Sequence, residues 1–516
     1  MSSQDRGSIM RRVLAGAGWA MGWRVLSRSL GFVSMLILAR LLVPADFGIV
    51  AVASSIAASI DALSQLGVRD ALVRMPDERI EYYNTAFTFQ VARGVLTGSL
   101  LAVISLFAEA WFGDPRLRDI LLLMAGLAVV SGFENIGVVR LLRELNFRTQ
   151  FVMQIAPRLL GFIVTVTLAF QLRDYHALVW GMIASKLAGV AVTYIASPHA
   201  PRFSLAGWRY LLGFSFWTWA GSLAMVAWSR SDPFLLGPAL GPAMLGVYLL
   251  AVEIALMPLS ELLEPVCSTL FPGFAFARRQ GAAPLEIGLT IGGALALCTI
   301  PFSIGISACS GYLVAGLLGQ KWQAAQPVIA VLAWVCAFSP FSYVCSSLLS
   351  AQGQVRRVFA INAAAAILKV AVTLVVRETH DLVVIASAGV AVVAIESTLF
   401  IGQLHAAGNK ELWQLCTTLL RAAAATVPTV AILAMLPGTW TPVAIPQAWA
   451  LLYGAGIGAL AFALFIAFDA ALWLIWRRPG GSEDWLYHAF RSIAGRRAGP
   501  ALTLSTLGEA DARSHR

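Results

Sequence analysis

The stretch Trp19–Ile49 reads WAMGWRVLSRSLGFVSMLILARLLVPADFGI. Its apolar residues are numerous enough to cross a bilayer core of about 30 Å at about 1.5 Å per residue. Arg24 and Arg28 lie inside this span and, being four residues apart on a helix, share one face. An arginine inside a membrane helix costs at least ~2.5 kcal/mol unless it faces water, a partner or an anionic ligand. Two arginines on one face therefore predict an anion-binding cavity.

Composition places the rest of the chain among polytopic helical membrane proteins. Of the 516 residues, 59% are hydrophobic and 12% are charged, which is about half the charged fraction of an ordinary soluble domain. Apolar runs long enough to span a bilayer recur along nearly the whole chain. We predict about fourteen transmembrane helices, an all-α fold, with approximate bounds of 18–40, 46–67, 83–108, 118–139, 151–171, 177–196, 209–231, 243–265, 285–308, 325–350, 358–376, 382–404, 412–435 and 447–476.

The distribution of basic residues predicts the orientation of these helices. If the amino terminus is cytoplasmic, the cytoplasmic segments hold twenty-three Lys and Arg residues and the opposite loops hold six. Cytoplasmic loops of membrane proteins carry this excess of positive charge. Both termini are therefore predicted to be cytoplasmic, and the net charge of +10 expresses this bias rather than nucleic-acid binding.

An internal repeat predicts how the helices are grouped. Leu42–Ile49 (LVPADFGI) recurs 198 residues later as Leu240–Val247 (LGPAMLGV). The first copy joins predicted helices one and two, and the second joins seven and eight. Six helices per repeat give parallel repeats around an axis along the membrane normal, with any site between them. The predicted parts are an N-terminal lobe of six helices at 1–205, a C-terminal lobe of six helices at 206–405, two further helices at 406–476, and a basic cytoplasmic tail with a short interfacial helix at 477–516.

Charges within the predicted helices are the candidate site, because no loop is long enough to hold one. The first half offers Arg24, Arg28 and Asp61, and the second offers Arg230, Asp232 and Glu253. Arginine binds phosphate through two parallel hydrogen bonds and keeps its charge when buried, so a cationic cavity suits a diphosphate. The charges nearest to mid-membrane, which we predict to face a water-filled cavity, are Arg28, Arg93, Lys186, Glu253 and Lys369. No His, Cys and carboxylate cluster offers a metal site, and no cofactor is predicted.

Two carboxylates are candidates for ion coupling. Asp61 and Glu253 lie on corresponding helices of the two halves, with Arg24 or Arg28 as the expected partner of Asp61 and Arg230 as that of Glu253. A carboxylate that loses its cationic partner when a cavity closes favours binding of a proton or a sodium ion. A permanent salt bridge that only joins two helices is the alternative, and the sequence leaves both open.

Four groups of segments carry a resemblance to a known family. They are LARLLVPADFGIVAVA with LGVRDALVR, RSDPFLLGPALGPAMLGVYLLA, EPVCSTLFPGFAFARRQ, and LVAGLLGQKWQAAQPVIAVLAWV. In order and spacing they resemble the polysaccharide transport (Wzx-type oligosaccharide flippase) family of the MOP flippase superfamily, over most of residues 15–405. The resemblance implies a MATE-like fold of two lobes around a central cavity that opens alternately to each side.

The same resemblance implies a function and a location. It implies a multi-pass protein of the bacterial inner membrane that moves a polyprenyl-diphosphate-linked oligosaccharide to the outer leaflet, for O-antigen, capsule or exopolysaccharide synthesis. Arg24, Arg28 and Arg230 would then meet the diphosphate, with Asp232 beside them. Membrane lipids, the glycan polymerase machinery and a coupling H⁺ or Na⁺ are the implied partners, and no covalent chemistry is required.

Other functions remain open at this stage. A peptidoglycan-precursor flippase would share the cationic cavity, because both substrates are lipid-linked. A small-molecule antiporter of the same fold would be expected to have an acidic cavity for organic cations. A polysaccharide polymerase or ligase would be expected to have a large outer loop with Arg, His and acidic residues, whereas the outer loops predicted here are short.

The topology is testable with reporter fusions. Fusions after Arg209 and after Arg478 should report the cytoplasm, and a fusion after Pro115 should report the periplasm, because the basic loops stay inside. A periplasmic reporter after Arg478 would mean an odd number of spans and would contradict the fourteen-helix topology.

Overall fold

A computed structural model describes most of the chain. The described residues are 3–64, 72, 79–143, 147–197, 200–206, 208, 215–267, 270–271, 273–274, 284–405, 410–441 and 446–476. Within these residues every regular element is a helix. The predicted interfacial helix of the tail, in 477–516, lies outside the described residues.

The helices of eight or more residues are numbered here in chain order. In the first part of the chain they are α1 Ser3–Leu41, α2 Pro44–Leu63, α3 Ile80–Phe112, α4 Arg116–Gly132, α5 Phe147–Leu172, α6 His176–Ala196 and α7 Ser215–Ala255. In the remainder they are α8 Pro284–Ala308, α9 Ala325–Leu332, α10 Val335–Ala351, α11 Val355–Val376, α12 Leu382–His405, α13 Lys410–Ala434 and α14 Gln447–Ile475. In the described part, eleven helices or continuous helical stretches are long and apolar enough to cross a membrane.

The helices overlap all the predicted spans, with two differences in how the spans are divided. The seventh and eighth predicted spans form the single element α7, which reverses at Gly241 with φ 73° and ψ 169°. Only glycine adopts this conformation without strain, so the chain folds back there. The tenth predicted span is divided into α9 and α10, which meet at Ala333 and Trp334.

The two copies of the repeat lie against each other at one end of the bundle, which we call the Pro–Gly end (residues 44–48 and 242–246). A Cβ atom on Gly48 would overlap the carbonyl oxygen of Pro242, and one on Gly246 would overlap the carbonyl oxygen of Pro44. Each added Cβ would also lie 3.0 Å from the backbone nitrogen of the other glycine. The contact is therefore reciprocal and made by backbone, and it joins α2 to the second arm of α7, residues 242–255.

Local sequence explains why α2 begins where it does. Val43 is extended, with φ −98° and ψ 156°, as expected for the residue before a proline. Pro44 then occupies the first turn of α2, where its missing N–H costs no hydrogen bond and its fixed φ suits a helix. The Pro–Gly end thus combines two helix starts with two glycines that allow the starts to touch.

A charged network fixes the N-terminal helices at the same end. Arg116, at the start of α4, contacts Asp114 at 2.6 Å and Asp46 of α2 at 3.3 Å, and its guanidinium lies 5.5 Å from the Tyr175 ring centroid. The hydrogen bonds from Arg116 hold the pKa of the Asp114 carboxyl below its ordinary value. One arginine therefore ties the starts of α2 and α4 to the loop before α6.

The hydrophobic cores differ between the two ends of the bundle. One core crosses from the N-terminal to the C-terminal half and includes Ile49, Leu121, Leu245, Trp322 and Ile329. At the opposite end, the described residues form separate cores in each half. Tyr83 and Phe87 belong to the first, and Phe341 and Phe400 to the second. Among the described residues, the core shared by the two halves thus lies toward the Pro–Gly end, and the cores at the other end each belong to one half.

The last two helices form a further unit on the C-terminal half. Helices α13 and α14 pack against each other and against α8. Their shared core contains Leu297 and Ile304 of α8 with Ala425 and Phe465. Residues 310–322 pass over the Pro–Gly end next to α14, as three short turns at Ser310–Leu313, Val314–Leu318 and Gln320–Trp322.

The glycine contact can be tested by adding one methyl group. Gly48→Ala or Gly246→Ala should lower the stability of the purified protein by about 1–3 kcal/mol or more, because the helices must separate to admit the methyl. Gly126→Ala and Gly456→Ala are matched controls in open space, where the same change should leave stability unchanged or slightly raised. Thermal unfolding in detergent measures both. Equal effects at all four positions would contradict the close backbone contact.

Candidate functional site

A partly open cavity of about 290 Å³ lies between the two halves, lined by α1, α2, the second arm of α7 and Met257. On α1 it is lined by Arg28, Phe32 and Met35, whose spacing of four and three residues places them on one helix face. Phe47 and Gly246, from the Pro–Gly end, also line it. The cavity therefore ends against the glycine contact, and most of its remaining lining is apolar. The full lining is Arg28, Gly31, Phe32, Met35, Phe47, Ala51, Gly246, Leu249, Leu250, Glu253, Ile254 and Met257.

An ion pair crosses this cavity and joins the two halves. Arg28 Nη2 lies 3.2 Å from Glu253 Oε1 of α7 and donates a hydrogen bond to Ser260 Oγ at 2.9 Å. The exposed fractions of the two charged side chains are 39% and 54%. Because both side chains are partly exposed, the pair is expected to be weak enough to exchange for another ligand. The predicted cavity charge is thus present, and its partner in this state is a carboxylate of the other half.

Asp61 has a different partner from the expected one. It pairs with Arg93 Nη2 of α3, not with Arg24 or Arg28. Arg93 Nε also donates to Ser64 Oγ at 3.3 Å. These groups lie within the N-terminal half and do not line the cavity between the halves. Arg93 could not be chosen as the partner from sequence, since spacing along the chain does not show which face of α3 meets α2.

Asp232 is held in a second pair, inside the C-terminal half. Lys369 Nζ of α11 lies 3.2 Å from Asp232 Oδ1, donates to the carbonyl oxygen of Trp228 at 2.7 Å, and lies 5.2 Å from the centroid of the Trp228 ring. The exposed fractions are 17% for Lys369 and 19% for Asp232, so this pair is more buried than the one across the cavity. Asp232 does not line that cavity.

The remaining predicted residues are placed less centrally. Arg24 is exposed on α1, one turn farther from the Pro–Gly end than Arg28, and does not line the cavity. The side chain of Arg230 lies outside the described residues, so its expected pair with Glu253 stays a prediction, and Glu253 pairs with Arg28. Lys186 is exposed on α6. Of the five mid-membrane charges, only Arg28 and Glu253 line the cavity.

One signal in the sequence could have identified the Arg28–Glu253 pair. Arg28 is thirteen residues from the end of α1 at Leu41, and Glu253 is eleven residues after Pro242. At about 1.5 Å per residue, the two lie ~20 and ~17 Å from the Pro–Gly end. Opposite charges at similar depths, on helices that meet at a shared end, are candidates for contact. Ser260 gave no such signal.

A second cavity, of about 530 Å³, does not suit an anion. It lies in the N-terminal half away from the Pro–Gly end and is lined by Phe87, Phe133, Tyr194, Ser197, Ala200, Pro201 and Phe203. No charged side chain lines it. In the part of the chain described by the structure, no group of three His, Cys, Asp or Glu residues could hold a metal ion.

The buried pair gives a prediction about stability. Asp232→Asn or Lys369→Gln alone should each destabilise the protein by clearly more than the roughly 1 kcal/mol of an exposed pair, because the remaining charge loses its ionic partner in a largely buried place. The double variant should lose clearly less than the sum. Thermal unfolding of the purified variants measures this. Single changes in the exposed Arg377–Glu378 pair are the matched control and should cost no more than about 1 kcal/mol. Additive effects at Asp232 and Lys369 would contradict their pairing.

The fold resembles that of a solved membrane transporter. The structure of lipid II flippase MurJ in an inward closed conformation superposes with a TM-score of 0.66 at 13% identity, covering 88% of this chain and 99% of that one. The likeness confirms the predicted all-α polytopic fold, since identity this low carries information on fold alone.

Curated relatives have names from polysaccharide biosynthesis and transport. The succinoglycan biosynthesis transport protein ExoT of Rhizobium meliloti (strain 1021) is 28% identical over 323 residues, 60% of this chain and 64% of ExoT. The lipopolysaccharide biosynthesis protein WzxC of Escherichia coli (strain K12) is 24% identical over 366 residues, 69% of this chain and 73% of WzxC. The match to ExoT thus spans just under two thirds of that protein. The family model described as polysaccharide biosynthesis protein matches residues 37–327, more than half of the chain and both copies of the Pro–Gly repeat. The chain therefore belongs to this polysaccharide biosynthesis protein family.

Proposed function

We propose that this protein is a lipid-linked oligosaccharide flippase. It would carry a polyprenyl-diphosphate-linked glycan from the inner to the outer leaflet of a bacterial inner membrane, as a transporter without covalent chemistry. Family membership and the names of ExoT and WzxC support the pathway. The observation that carries the proposal is Arg28, a cation about mid-depth in a cavity between the two halves, whose ion pair with Glu253 is partly exposed.

The proposed orientation places the Pro–Gly end at the periplasmic face. It follows from the excess of Lys and Arg in the loops at the opposite end, with both termini in the cytoplasm. In this orientation the structure is closed toward the periplasm by the Gly48–Gly246 contact. The separate cores at the cytoplasmic end then suit entry of the substrate from the inner leaflet.

Exchange of partners at Arg28 gives a route for substrate recognition. A diphosphate offers several anionic oxygens in a geometry that a guanidinium binds through two hydrogen bonds. In the described state Glu253 occupies that position, and its exposure allows a phosphate oxygen to replace it. Arg24, one helical turn nearer the cytoplasmic end, would meet the diphosphate first, and Arg28 would receive it deeper in the cavity.

Displacement of Glu253 by the substrate could also couple transport to the binding of a proton or a sodium ion. The displaced carboxylate would face Leu249, Leu250 and Met257, apolar surroundings in which an unpaired anion is unfavourable. Binding of a proton or a sodium ion would then lower the free energy of this state. Since the Arg28–Glu253 pair joins the two halves, its loss would also remove one contact that favours the closed arrangement.

The pairs inside each half have a different proposed role. Asp61–Arg93 joins α2 to α3, and Asp232–Lys369 joins α7 to α11. Neither lines the cavity, so a rigid half that moves as a unit would keep both. Ion coupling at Asp61 and contact of the substrate with Asp232 would require these pairs to open, and contact of the substrate with Arg230 stays a prediction.

The proposal is tested at Arg28. Arg28→Ala should reduce transport by roughly tenfold to a hundredfold, since hydrogen bonds to charged groups contribute about 1.5–3 kcal/mol. Arg28→Lys should restore only part of it, because a point charge replaces the two-pronged donor. The measurement is translocation of a fluorescent polyprenyl-diphosphate-linked oligosaccharide by purified protein in vesicles, with a lipid-linked peptidoglycan precursor assayed in parallel.

Two further variants make this test specific. Arg158→Ala removes another arginine, exposed on α5 and stacked 5.6 Å from the Trp23 ring, and should leave transport near the parent level. Glu253→Gln removes the anion that competes for Arg28 and should lower the substrate concentration needed for half-maximal transport. Undiminished transport by Arg28→Ala would refute the role of this residue. Transport of the peptidoglycan precursor alone would refute the proposed substrate.

A further inference from the structure

Two helix ends from opposite halves of the chain cap each other at the Pro–Gly end. The last carbonyl groups of a helix have no donors within the helix and require partners from elsewhere. In the last turn of α1, the carbonyl oxygen of Ala39 accepts a hydrogen bond from Trp322 Nε1 at 2.7 Å. Trp322 is fully buried, and its ring meets the edge of Phe47 at a centroid distance of 5.4 Å. The C-terminal half thus caps a helix of the N-terminal half.

The reverse contact is made by Arg40. The turn Val314–Leu318 ends at Gly319, where φ is 93° and the chain leaves the helical direction. Arg40 Nη2 donates to the carbonyl oxygen of Gly316 at 2.7 Å, and its Nε donates to that of Leu317 at 3.3 Å. A cationic donor at the carbonyl end of a helical turn is favoured by its dipole as well as by the hydrogen bonds. The N-terminal half thus caps a turn of the C-terminal half.

The terminal helix α14 is part of the same contact. Arg40 Nη1 donates to Gln447 Oε1 in the first turn of α14. A Cβ atom on Gly316 would lie 2.7 Å from Leu451 Cδ2, so this turn packs closely against α14. Arg40 therefore joins α1, the turn 314–318 and the last helix of the chain through three hydrogen bonds.

We propose that this mutual capping is a latch that holds the Pro–Gly end closed, and that Arg40 is the positioning residue that sets the balance between closed and open states. The inference rests on the proposed alternating access but requires no particular substrate. Opening the Pro–Gly end would part α1 from residues 314–322 and leave the carbonyl groups of both helix ends without their donors. Arg40 itself is exposed, so water can replace its bonds on opening, whereas the Gly48–Gly246 contact offers no exchangeable group.

The latch differs from the cavity pair in what it controls. Arg40 does not line the cavity, so its loss should not remove a substrate contact. Its bonds exist only while α1 and the turn 314–318 are together, and their loss should favour the state that is open at the Pro–Gly end. Replacing a residue that only contributes to packing would instead increase access to the cavity equally from both sides.

The test measures access to the cavity from each side. Met35→Cys, in the cavity lining, is introduced into a chain in which Cys298 and Cys416, the two cysteines with exposed side chains, are replaced by Ala. A membrane-impermeant maleimide is added to right-side-out and to inverted vesicles, without substrate. Arg40→Gln should raise the ratio of labelling from the Pro–Gly side to labelling from the opposite side by about tenfold, as charge-assisted hydrogen bonds are lost. Arg40→Lys should restore the ratio in part.

The controls decide between a latch and general loosening. Arg377→Gln changes an arginine at the same end whose ion pair is to the adjacent Glu378, and should leave the ratio at the parent value. Gln447→Ala removes one of the three hydrogen bonds of Arg40 and should raise the labelling ratio by less than Arg40→Gln. If Arg40→Gln is not recovered from membranes, Gln447→Ala alone tests the latch. An unchanged ratio, or equal increases from both sides, would overturn the latch. A changed ratio in a protein that moves no lipid-linked glycan would refute the proposed substrate and leave the latch in place.

Discussion

The close approach of two backbones at Gly48 and Gly246 is the constraint on which the arrangement of the two halves depends. Each glycine lies against the carbonyl oxygen of the proline that begins the other copy of the repeat. No side chain can be inserted there, so α2 and the second arm of α7 meet at a fixed point and in one relative register. Away from that point the helices are free to diverge, and the cavity lies where they do so.

This geometry accounts for the different environments of the membrane-embedded charges. Arg28 and Glu253 face each other across the space between the halves and remain partly exposed. Lys369 and Asp232 are enclosed within one half and are correspondingly more buried. Charges in a membrane interior require compensation wherever they occur. In the proposed mechanism only the pair between the halves responds to a ligand, and the pair within one half keeps two helices together.

Closure at the Pro–Gly end combines contacts of two physical kinds. The glycine contact is made by van der Waals packing of backbone, which is insensitive to charge and has a sharp dependence on distance. The capping of Ala39 by Trp322 is a buried hydrogen bond, whereas the capping of Gly316 and Leu317 comes from the exposed Arg40, whose hydrogen bonds water can replace. Packing fixes the geometry of the closed state. When the proposed latch opens, water can hydrogen-bond the carbonyl groups that Arg40 releases, so these groups are not left unsatisfied.

The sequence by itself determined the class of fold, the helices and the repeat that joins the halves. Length and hydropathy are enough to predict the fold class and the helices. A membrane span must form all its backbone hydrogen bonds within one helix and expose apolar side chains to the lipid. The paired motifs LVPADFGI and LGPAMLGV also identified where the halves correspond, since proline and glycine restrict backbone conformation locally. Arg28 and Glu253 were identified as important charges for the same reason: a charge in an apolar span is conspicuous.

Only the tertiary structure decided which charges are partners. Arg28 pairs with Glu253, Asp61 with Arg93 and Asp232 with Lys369. The sequence had instead favoured Arg24 or Arg28 as the partner of Asp61 and Arg230 as that of Glu253. Pairing depends on the rotation of each helix about its axis, and long helices that are apolar on nearly every face carry little periodic signal to fix that rotation. The caps formed by Arg40 and Trp322 lie 276 to 283 residues away from their acceptors. Contacts between such distant segments follow from how the halves meet, which is a property of packing and not of any local pattern.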